Sequence, residues 1–428
     1  MSVQLSKLPN GVRVVSHAMP HLETVSLGVW VGAGARSERA DQNGIAHLLE
    51  HMAFKGTATR SAKQIAEEIE SVGGDLNAAT SLETTAYYAR VLKDDLALAI
   101  ELLGDIVQNP AFDAIELERE KDVILQEISA IQDSPDDMIY DLAQELAFPV
   151  QALGRPITGT VESVSGFSPD DLHSFRIAHY AGEGLVVAAA GAVDHNELVE
   201  RAAQEFAALP GQGAHVHDPA RYCGGLRHAT QKFEQSHVLM AFEGPSYRAD
   251  EFYAAQVLST FMGGGMSSRL FQEARERRGL CYSIYSFCWG VSDTGLFGVH
   301  AATGPEQVPE LLDVIEAALH DAGEAVAGND EIGRAKAQLK ASLSMSLESS
   351  GARADQLARQ TLAFGEPLEV SDIIAKVDAV TAEGVLSVAE RLFGSTPICL
   401  SSIGPAQRLE KLEEVRAKFG SRPAFAAE

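Results

Sequence analysis

An internal repeat restricts the fold of this chain more than any other feature of its sequence. Residues 164–193 align without a gap with residues 377–406, and the offset of 213 positions is close to half of the 428 residues. In each copy a Ser or Thr can cap an amphipathic helix, and an apolar strand then ends at glycine. Matched positions carry similar residues: Ser168 and Thr381, Leu172 and Val385, Tyr180 and Phe393, Gly191 and Gly404. The repeat therefore predicts two domains of about 210 residues with the same topology.

Strand and helix signals come in groups within each half of the chain. Alternating or apolar runs predict strands at 12–16, 25–31, 84–91, 237–242, 282–289 and 295–301. Amphipathic runs predict helices at 45–54, 61–72, 95–107, 113–132, 136–147, 251–262, 268–276, 306–322 and 330–349. Grouped strands beside grouped helices favour the α+β class over a doubly wound parallel sheet. We expect two homologous domains, 1–210 and 226–428, each a mainly antiparallel sheet with helices packed on one face, joined by a glycine-rich linker at 211–225.

The charge of the chain argues against a nucleic-acid partner. Asp and Glu number 60 against 34 Lys and Arg, a formal net charge of −26, and an acidic surface repels phosphate backbones. No apolar run reaches the roughly 18 residues that span a bilayer, so we expect no membrane segment. The N-terminus has no basic start followed by an apolar stretch, which predicts a cytoplasmic protein. The four cysteines form no close pair, which predicts reduced core thiols.

A short motif, His47-Leu48-Leu49-Glu50-His51, carries the most chemical information. His47 and His51 are four residues apart in a predicted helix, so both imidazoles project from the same face. Two imidazoles placed in this way can occupy two positions of a tetrahedral zinc site. Glu50 lies at the edge of that face and can take a proton from a water at the metal. The alternative is a chance match, against which the helical flanks argue.

A catalytic zinc site needs a third protein ligand and one open position. The predicted helix 113–132 supplies candidates, because Glu116, Glu120 and Glu127 form one stripe along it. Such a stripe is often a solvated face of a helix. Apolar neighbours of Glu127 predict instead that this turn is partly buried, and a buried carboxylate requires a partner such as a metal.

At this point the residues carry a resemblance to a known family. The order H-x-x-E-H marks the inverzincins, and HLLEHMAFKGT, followed by Glu127 within LEREKDVILQEI, closely resembles the pitrilysin family. The chain is similar to its short, two-domain branch, which includes bacterial processing-peptidase-like enzymes and the β-subunit of the mitochondrial processing peptidase. The resemblance implies one zinc per chain, with His47, His51 and Glu127 as ligands, Glu50 as the general base and Glu120 assisting catalysis.

The resemblance also implies residues that bind substrate. The segment 73–78, GGDLNA, is similar to the family's edge strand, on which Asn77 and Ala78 would pair with an extended peptide. Arg275 and Tyr282 match an Arg/Tyr pair that contacts substrate near the scissile bond, and both can donate to a developing oxyanion. Three glycines at 263–265 precede this pair and predict a flexible turn.

The repeat gives the second half no ligand at the matching positions. His47 falls on Ser268, His51 on Gln272 and Glu127 on Ser342. We therefore expect the second half to be the same scaffold without a metal ligand, free to contribute walls and substrate contacts.

The expected function is a zinc metalloendopeptidase that hydrolyses extended peptides or unfolded protein segments. Relatives in the family enclose a chamber with four such domains, so a chain with two domains implies a dimer. Arg275 and Tyr282 would then serve the zinc site of the other subunit, in a homodimer or in a heterodimer with an inactive homologue. The main alternative is a non-catalytic scaffold or peptide-binding subunit, like the respiratory-complex core proteins of this family, which lack an intact zinc constellation.

Overall fold

Each half of the sequence contributes to both structural units of the chain. The computed structural model describes residues 3–213, 217–405 and 409–419. The remaining residues, which include parts of the predicted linker, of the repeat and of the domain ends, lie outside the described residues. Unit 1 comprises Met1–Ser129, Arg155–Asp218 and Ser344–Glu369, and unit 2 comprises Ala130–Gly154, Pro219–Leu343 and Val370–Glu428. Each unit thus contains a segment from the other half, in addition to the contiguous ranges that the repeat predicts.

The strands lie close to the predicted runs and add several that the patterns did not reveal. They are β1 (Gln4–Lys7), β2 (Arg13–Ala18), β3 (Thr24–Val31), β4 (Asp75–Thr80), β5 (Thr85–Leu92), β6 (Leu185–Gly191), β7 (Gly225–Thr230), β8 (Ser236–Gly244), β9 (Cys281–Gly290), β10 (Gly295–Thr303) and β11 (Cys399–Gly404). Gly11, at φ 95°, lies in the turn between β1 and β2, which pair as an antiparallel hairpin. Glycine adopts this left-handed conformation without the strain that a side chain would add.

The helices include the predicted ones, most of which begin and end within a few residues of the predicted positions, and several that were not predicted. They are α1 (Ile45–Ala53), α2 (Ala62–Ser71), α3 (Leu96–Gln108), α4 (Ala114–Asp133), α5 (Pro135–Ala147), α6 (Val161–Gly166), α7 (Pro169–His179), α8 (His195–Glu205), α9 (Phe252–Gly263), α10 (Val308–Glu324), α11 (Asn329–Ser346), α12 (Ser350–Phe364), α13 (Val370–Ala379), α14 (Ala382–Glu390) and α15 (Leu409–Lys418). Ser61 caps α2, since its side chain accepts from the Gln64 N–H.

The two sheets share one topology. The order is β1-β2-β6-β3-β5-β4 in unit 1 and β7-β11-β8-β10-β9 in unit 2. Apart from β1, each sheet starts with a parallel pair, β2 with β6 and β7 with β11, and continues with antiparallel neighbours. The predicted fold, two homologous α+β domains with mainly antiparallel sheets, is confirmed.

The repeat is visible as a matched helix and strand in each unit. Ser168 caps α7 by accepting from the Asp171 N–H, and Thr381 caps α14 by accepting from the Gly384 N–H. The following strands, β6 and β11, end at glycines with φ of 122° and 123°. Similar residues therefore begin and end the same elements in both units.

Helices cover both faces of each sheet, and not only the one face that was predicted. In each unit one face packs on a large apolar core with helices of the same half of the sequence. The opposite face of the unit 1 sheet packs on α12, where Leu357 lies among Trp30 and Val186. In unit 2, α5 packs on β8 and β11, with Ile139 buried. Both helices come from the other half of the sequence, an exchange that no local pattern indicated.

Three local predictions differ from the structure. The predicted helix 268–276 is a π-helical segment at Phe271–Arg277. The predicted helix 330–349 ends at Ser346, because Ser349 caps the separate helix α12. All four cysteines are free, but Cys223 is exposed and is not a core thiol. Among the described residues, no helix has the length and apolar character needed to cross a membrane.

Candidate metal centre

Helix α1 presents the H-x-x-E-H motif on the face that points away from the core. Leu48, Leu49 and Met52 are fully buried and pack into the apolar core of unit 1. His47 and His51 keep 14% and 17% of their side chains exposed. The helical periodicity therefore places the residues that anchor α1 in the core on one face and the two histidines on the other.

A buried carboxylate fixes the start of α1. Gly44 precedes the helix at φ 93°, and Glu38 accepts from its N–H at 2.9 Å and from the Ala46 N–H at 3.0 Å. Asn43 donates its side-chain amide to the same carboxylate at 3.2 Å. Burial raises the pKa of Glu38 to about 7, although these hydrogen bonds oppose the rise. No sequence pattern pointed to Glu38, because a carboxylate seven residues before the first residue of the helix follows no local capping rule.

The structure brings together the three predicted ligands. The rings of His47 and His51 have centroids 4.6 Å apart. His47 Nε2 lies 3.7 Å from Glu127 Oε2, and His51 Nε2 lies 3.8 Å from Glu127 Oε1. One donor atom from each residue lies within 4.8 Å of the other two. We call His47, His51 and Glu127 the helix cluster, because α1 and α4 supply all three side chains.

The donors of the helix cluster fit a zinc ion. Two imidazole nitrogens and one carboxylate oxygen are a common ligand set of catalytic zinc, with one position left open. Burial, with the neighbouring His51, lowers the pKa of His47 to about 4, so the ring is neutral near pH 7, as a ligand must be. Its Nδ1 is buried without a hydrogen-bond partner among the described residues. Its Nε2 lies on the side of Glu127, where the ligand atoms meet.

Glu120 supports the cluster from behind. The His51 Nδ1–H donates to Glu120 Oε2 at 3.1 Å, and Lys55 Nζ lies 2.6 Å from Glu120 Oε1. A carboxylate on the far nitrogen of a ligating histidine fixes its tautomer and orientation. These contacts indicate that Glu120 positions His51, and the expectation from the resemblance that Glu120 assists catalysis stays a prediction.

Glu50 stands beside the helix cluster and is not part of it. Its side chain is largely buried, which raises the pKa of the carboxyl group. Thr80 Oγ1, at the end of β4, donates to Glu50 Oε2 at 2.5 Å. The sequence did not single out Thr80. It joins the predicted base to the strand on which substrate is expected.

The predicted substrate residues Asn77 and Ala78 lie on β4, the edge strand of the unit 1 sheet. β4 pairs with β5 on one side. The Asn77 Oδ1 accepts from the Ala78 N–H at 2.8 Å. A cavity of about 970 Å³ borders this edge and is lined by side chains of β4, α2 and α12, including Leu76, Ile65 and Asp355. An extended segment can reach the strand there.

The predicted pair Arg275 and Tyr282 lies in unit 2, where the structure brings the two side chains together. The Arg275 guanidinium lies 4.8 Å from the centre of the Tyr282 ring and 4.6 Å from that of Phe271. Tyr282 is 80% exposed. Arg275 is on the π-helical segment, a rare geometry that is frequent at functional sites. The glycines at 263–265 end α9 and form the predicted turn before it.

Comparison with known families matches most of the chain. The sequence profile of insulinase (peptidase family M16) matches residues 13–161, and the profile of the peptidase M16 inactive domain matches residues 166–339. The first range includes the whole helix cluster. The second includes Arg275 and Tyr282.

Relatives match along almost their whole length. The chain is 40% identical to an uncharacterized zinc protease of Streptomyces coelicolor, over 94% of this chain and 90% of the relative. It is 37% identical to an uncharacterized zinc protease of Rickettsia bellii, over 94% and 97%. It is 35% identical to the uncharacterized zinc protease YmxG of Bacillus subtilis, over 93% and 97%.

Solved structures share the fold. A peptidase M16 inactive domain from Pseudomonas fluorescens superposes with a TM-score of 0.88 at 22% identity, covering 95% of this chain and 98% of the other. A protease from Helicobacter pylori gives a TM-score of 0.88 at 21% identity, covering 94% and 99%. Both chains thus have the two-domain architecture along their whole length.

Proposed function

Because the chain belongs to the insulinase family of peptidases, family M16, we propose that it is a zinc metalloendopeptidase that cleaves extended peptides or unfolded protein segments. The observation that carries the proposal is the helix cluster with Glu50 beside it. Two imidazoles, a carboxylate and a separate, largely buried carboxylate are the parts that metal-assisted hydrolysis requires.

We assign one zinc per chain to Nε2 of His47, Nε2 of His51 and the carboxylate of Glu127. When bound, zinc acts as a Lewis acid that acidifies water and polarises a carbonyl oxygen. Glu50 takes the proton of the attacking water and returns it to the leaving amine. Burial raises the pKa of Glu50 towards neutral pH. A general base is most effective when its pKa lies near the working pH. Thr80 holds the Glu50 carboxylate in place.

The substrate is proposed to bind as an added strand on β4. Main-chain hydrogen bonds along an edge give affinity with little demand on sequence, so peptide length matters more than side chains. Thr80 ends β4 and contacts Glu50, so a peptide aligned on this strand passes the base. Asn77 and Ala78 would hold its backbone.

A dimer would complete the site with Arg275 and Tyr282 from the other subunit. Both side chains can donate hydrogen bonds to a developing oxyanion. A homodimer is the simpler assembly, and a heterodimer with an inactive homologue remains the second form of the proposal. The cytoplasmic location expected from the N-terminus also stays a prediction.

The test is Glu50→Gln in the full chain, compared with wild type on a peptide library read by mass spectrometry. Removal of a general base should lower kcat by at least about a hundredfold, while the helix cluster keeps its zinc ion. Glu306→Gln, an exposed neutral-for-acid change in unit 2, is the matched control and should behave as wild type. A Glu50→Gln protein that has lost its zinc would make Glu50 a ligand. A wild-type protein that holds zinc but cuts no peptide would favour the non-catalytic scaffold.

A further inference from the structure

A second group of potential metal ligands lies in unit 2, away from the positions that match the helix cluster in the repeat. Asp136, His237 and His300 each offer one donor atom within 4.8 Å of the other two. We call these three residues the sheet cluster. Asp136 comes from the first half of the sequence and the histidines from the second, so no half contains the group alone.

The pairing of two strands brings the histidines together. β8 and β10 are antiparallel neighbours in which His237 pairs with Ala302 and His300 pairs with Leu239. His237 and His300 are therefore diagonal neighbours on one face of the sheet, since alternate residues share a face. The residues next to them along the strands, Val238 and Val299 among others, point to the opposite face and into the unit 2 core.

Helix α5 supplies the carboxylate. It packs on β8 and β11, and the Cys399 Sγ–H donates to the Ala143 carbonyl at 3.3 Å. Ser134 caps its first turn by accepting from the Asp137 N–H, and Asp136 is in that turn. Asp136 therefore sits at the rim of the face that carries the histidines, with 71% of its side chain exposed.

The three distances suit a single transition-metal ion. His237 Nδ1 lies 3.3 Å from His300 Nε2 and 3.4 Å from Asp136 Oδ1, and His300 Nε2 lies 3.9 Å from Asp136 Oδ1. The point equidistant from the three atoms is about 2.1 Å from each, within the range of zinc–nitrogen and zinc–oxygen bonds. Small adjustments of the exposed aspartate would leave a fourth position open.

The surroundings favour neutral imidazoles. The side chains of His237 and His300 are 5% and 1% exposed. Burial lowers the pKa of His237, and burial together with His237 lowers the pKa of His300 to about 4, with Asp136 opposing both shifts. Deprotonated histidines are ready to bind a metal without releasing a proton.

The hydrogen bonds around His300 involve only one of its two ring nitrogens. Its Nδ1 is buried with no partner among the described residues, and buried polar groups usually have one. The rings of Tyr140 and Tyr285 lie 5.9 and 5.1 Å from it, and their hydroxyls bond to each other at 2.7 Å. The two tyrosine rings lie beside the imidazole of His300. Its Nε2 faces Asp136 and His237.

We propose that Asp136, His237 and His300 bind a divalent transition-metal ion, Zn²⁺ or one of similar preference, as a second metal site of this chain. Two imidazoles with one carboxylate suit zinc and its neighbours, whereas calcium and magnesium prefer sets of oxygen ligands. The ion would tie the start of α5 to two strands of the unit 2 sheet. It would thus hold a helix that comes from the other half of the sequence.

The test uses Co²⁺ as the probe, because its visible absorption reports both binding and coordination number. Metal-free His47→Ala/His51→Ala protein, which lacks the helix cluster, is titrated with Co²⁺. We expect one equivalent to bind with a four- or five-coordinate spectrum. Adding Asp136→Asn should weaken this binding by at least about tenfold, since even outer-shell changes at metal sites have effects of that size. Asp137→Asn, the same change of charge one residue later, is the matched control and should leave the affinity unchanged.

A second readout separates metal binding from folding. Asp136 is exposed, so Asp136→Asn should leave the thermal midpoint of the metal-free protein unchanged, and hydrogen exchange should show that Co²⁺ protects the first turns of α5 in the Asp137→Asn control but not in Asp136→Asn. No Co²⁺ bound by His47→Ala/His51→Ala protein would overturn the proposal and leave a hydrogen-bonded histidine pair. Binding that Asp136→Asn and Asp137→Asn weaken equally would overturn it as well, since the effect would then be one of surface charge.

Discussion

The helix cluster of unit 1 and the sheet cluster of unit 2 each combine two imidazoles with one carboxylate, but different elements bring the donors together. In the helix cluster both histidines lie on one turn of α1. In the sheet cluster they lie on separate strands, 63 residues apart. Helical spacing leaves a motif in the sequence, whereas strand pairing leaves none.

The support behind the donors differs as well. His51 donates to Glu120, which also contacts Lys55. His300 has two tyrosine rings around it, and its Nδ1 has no partner among the described residues. A carboxylate on the far nitrogen raises the basicity of a ligating imidazole. The comparison therefore predicts tighter metal binding in the helix cluster than in the sheet cluster.

Removal of a histidine ligand from the helix cluster should have the greatest effect on zinc binding and activity. His51→Ala should remove zinc from unit 1 and reduce peptide hydrolysis to background, because the other two ligands cannot complete a catalytic site. Metal analysis and the peptide assay measure the two losses. His320→Ala, at a partly exposed histidine of unit 2, should change neither. Full activity in His51→Ala would contradict the ligand assignment.

The next effect in size concerns Arg275, which is predicted to contact substrate from unit 2. Loss of a transition-state donor in Arg275→Ala should lower kcat/KM by around a hundredfold, roughly 3 kcal/mol. Mixing this protein with Glu50→Gln, with subunit exchange, should restore up to about half of the sites if the pair acts across a dimer. Native mass spectrometry identifies the mixed dimers. Mixed dimers no more active than either parent would place the pair within its own chain.

A smaller effect is expected when His51 loses the carboxylate that supports it. Glu120→Gln should weaken zinc binding at the helix cluster by about ten- to a hundredfold, because His51 loses its anionic partner. Competition with a chelating dye measures this affinity. Asp122→Asn, an exposed change on the same helix, is the control. Equal affinities in the two variants would mean that Glu120 does not position the ligand.

The smallest effect concerns the buried carboxylate that holds α1. Burial raises the pKa of Glu38 to about 7, above the usual value near 4.5, so the folded state binds its proton more tightly than the unfolded state. The stability that Glu38 contributes is therefore fully present below about pH 4.5 and is lost as the pH rises towards 7. Glu38→Gln cannot ionise, so its deficit in Tm relative to wild type should shrink by a few degrees between pH 5 and 8. Thermal denaturation across this range measures it, and a deficit that grows with pH would contradict the assignment.

Much of the fold followed from local patterns. The capping residues Ser168 and Thr381 and the terminal glycines Gly191 and Gly404 begin and end the same elements in both units. β4 was expected from the resemblance, since its short polar pattern is weak as a strand signal. The exchange of α5 and α12 could not be predicted, because an amphipathic helix has an apolar face without indicating which sheet it will cover.

Local sequence patterns were sufficient to predict the doubled architecture and the placement of His47, His51 and Glu50, because a helix of 3.6 residues per turn brings residues three or four positions apart onto one face. Which distant groups complete that face depends on how other elements pack against α1. Thr80 reaches it from a strand and Glu120 from another helix, while Glu38 binds backbone N–H groups at the start of α1 from a loop. The sheet cluster likewise depends on the register of β8 against β10 and on the packing of α5. Strand register and helix packing are set by the burial of whole faces, so no short stretch of sequence encodes them.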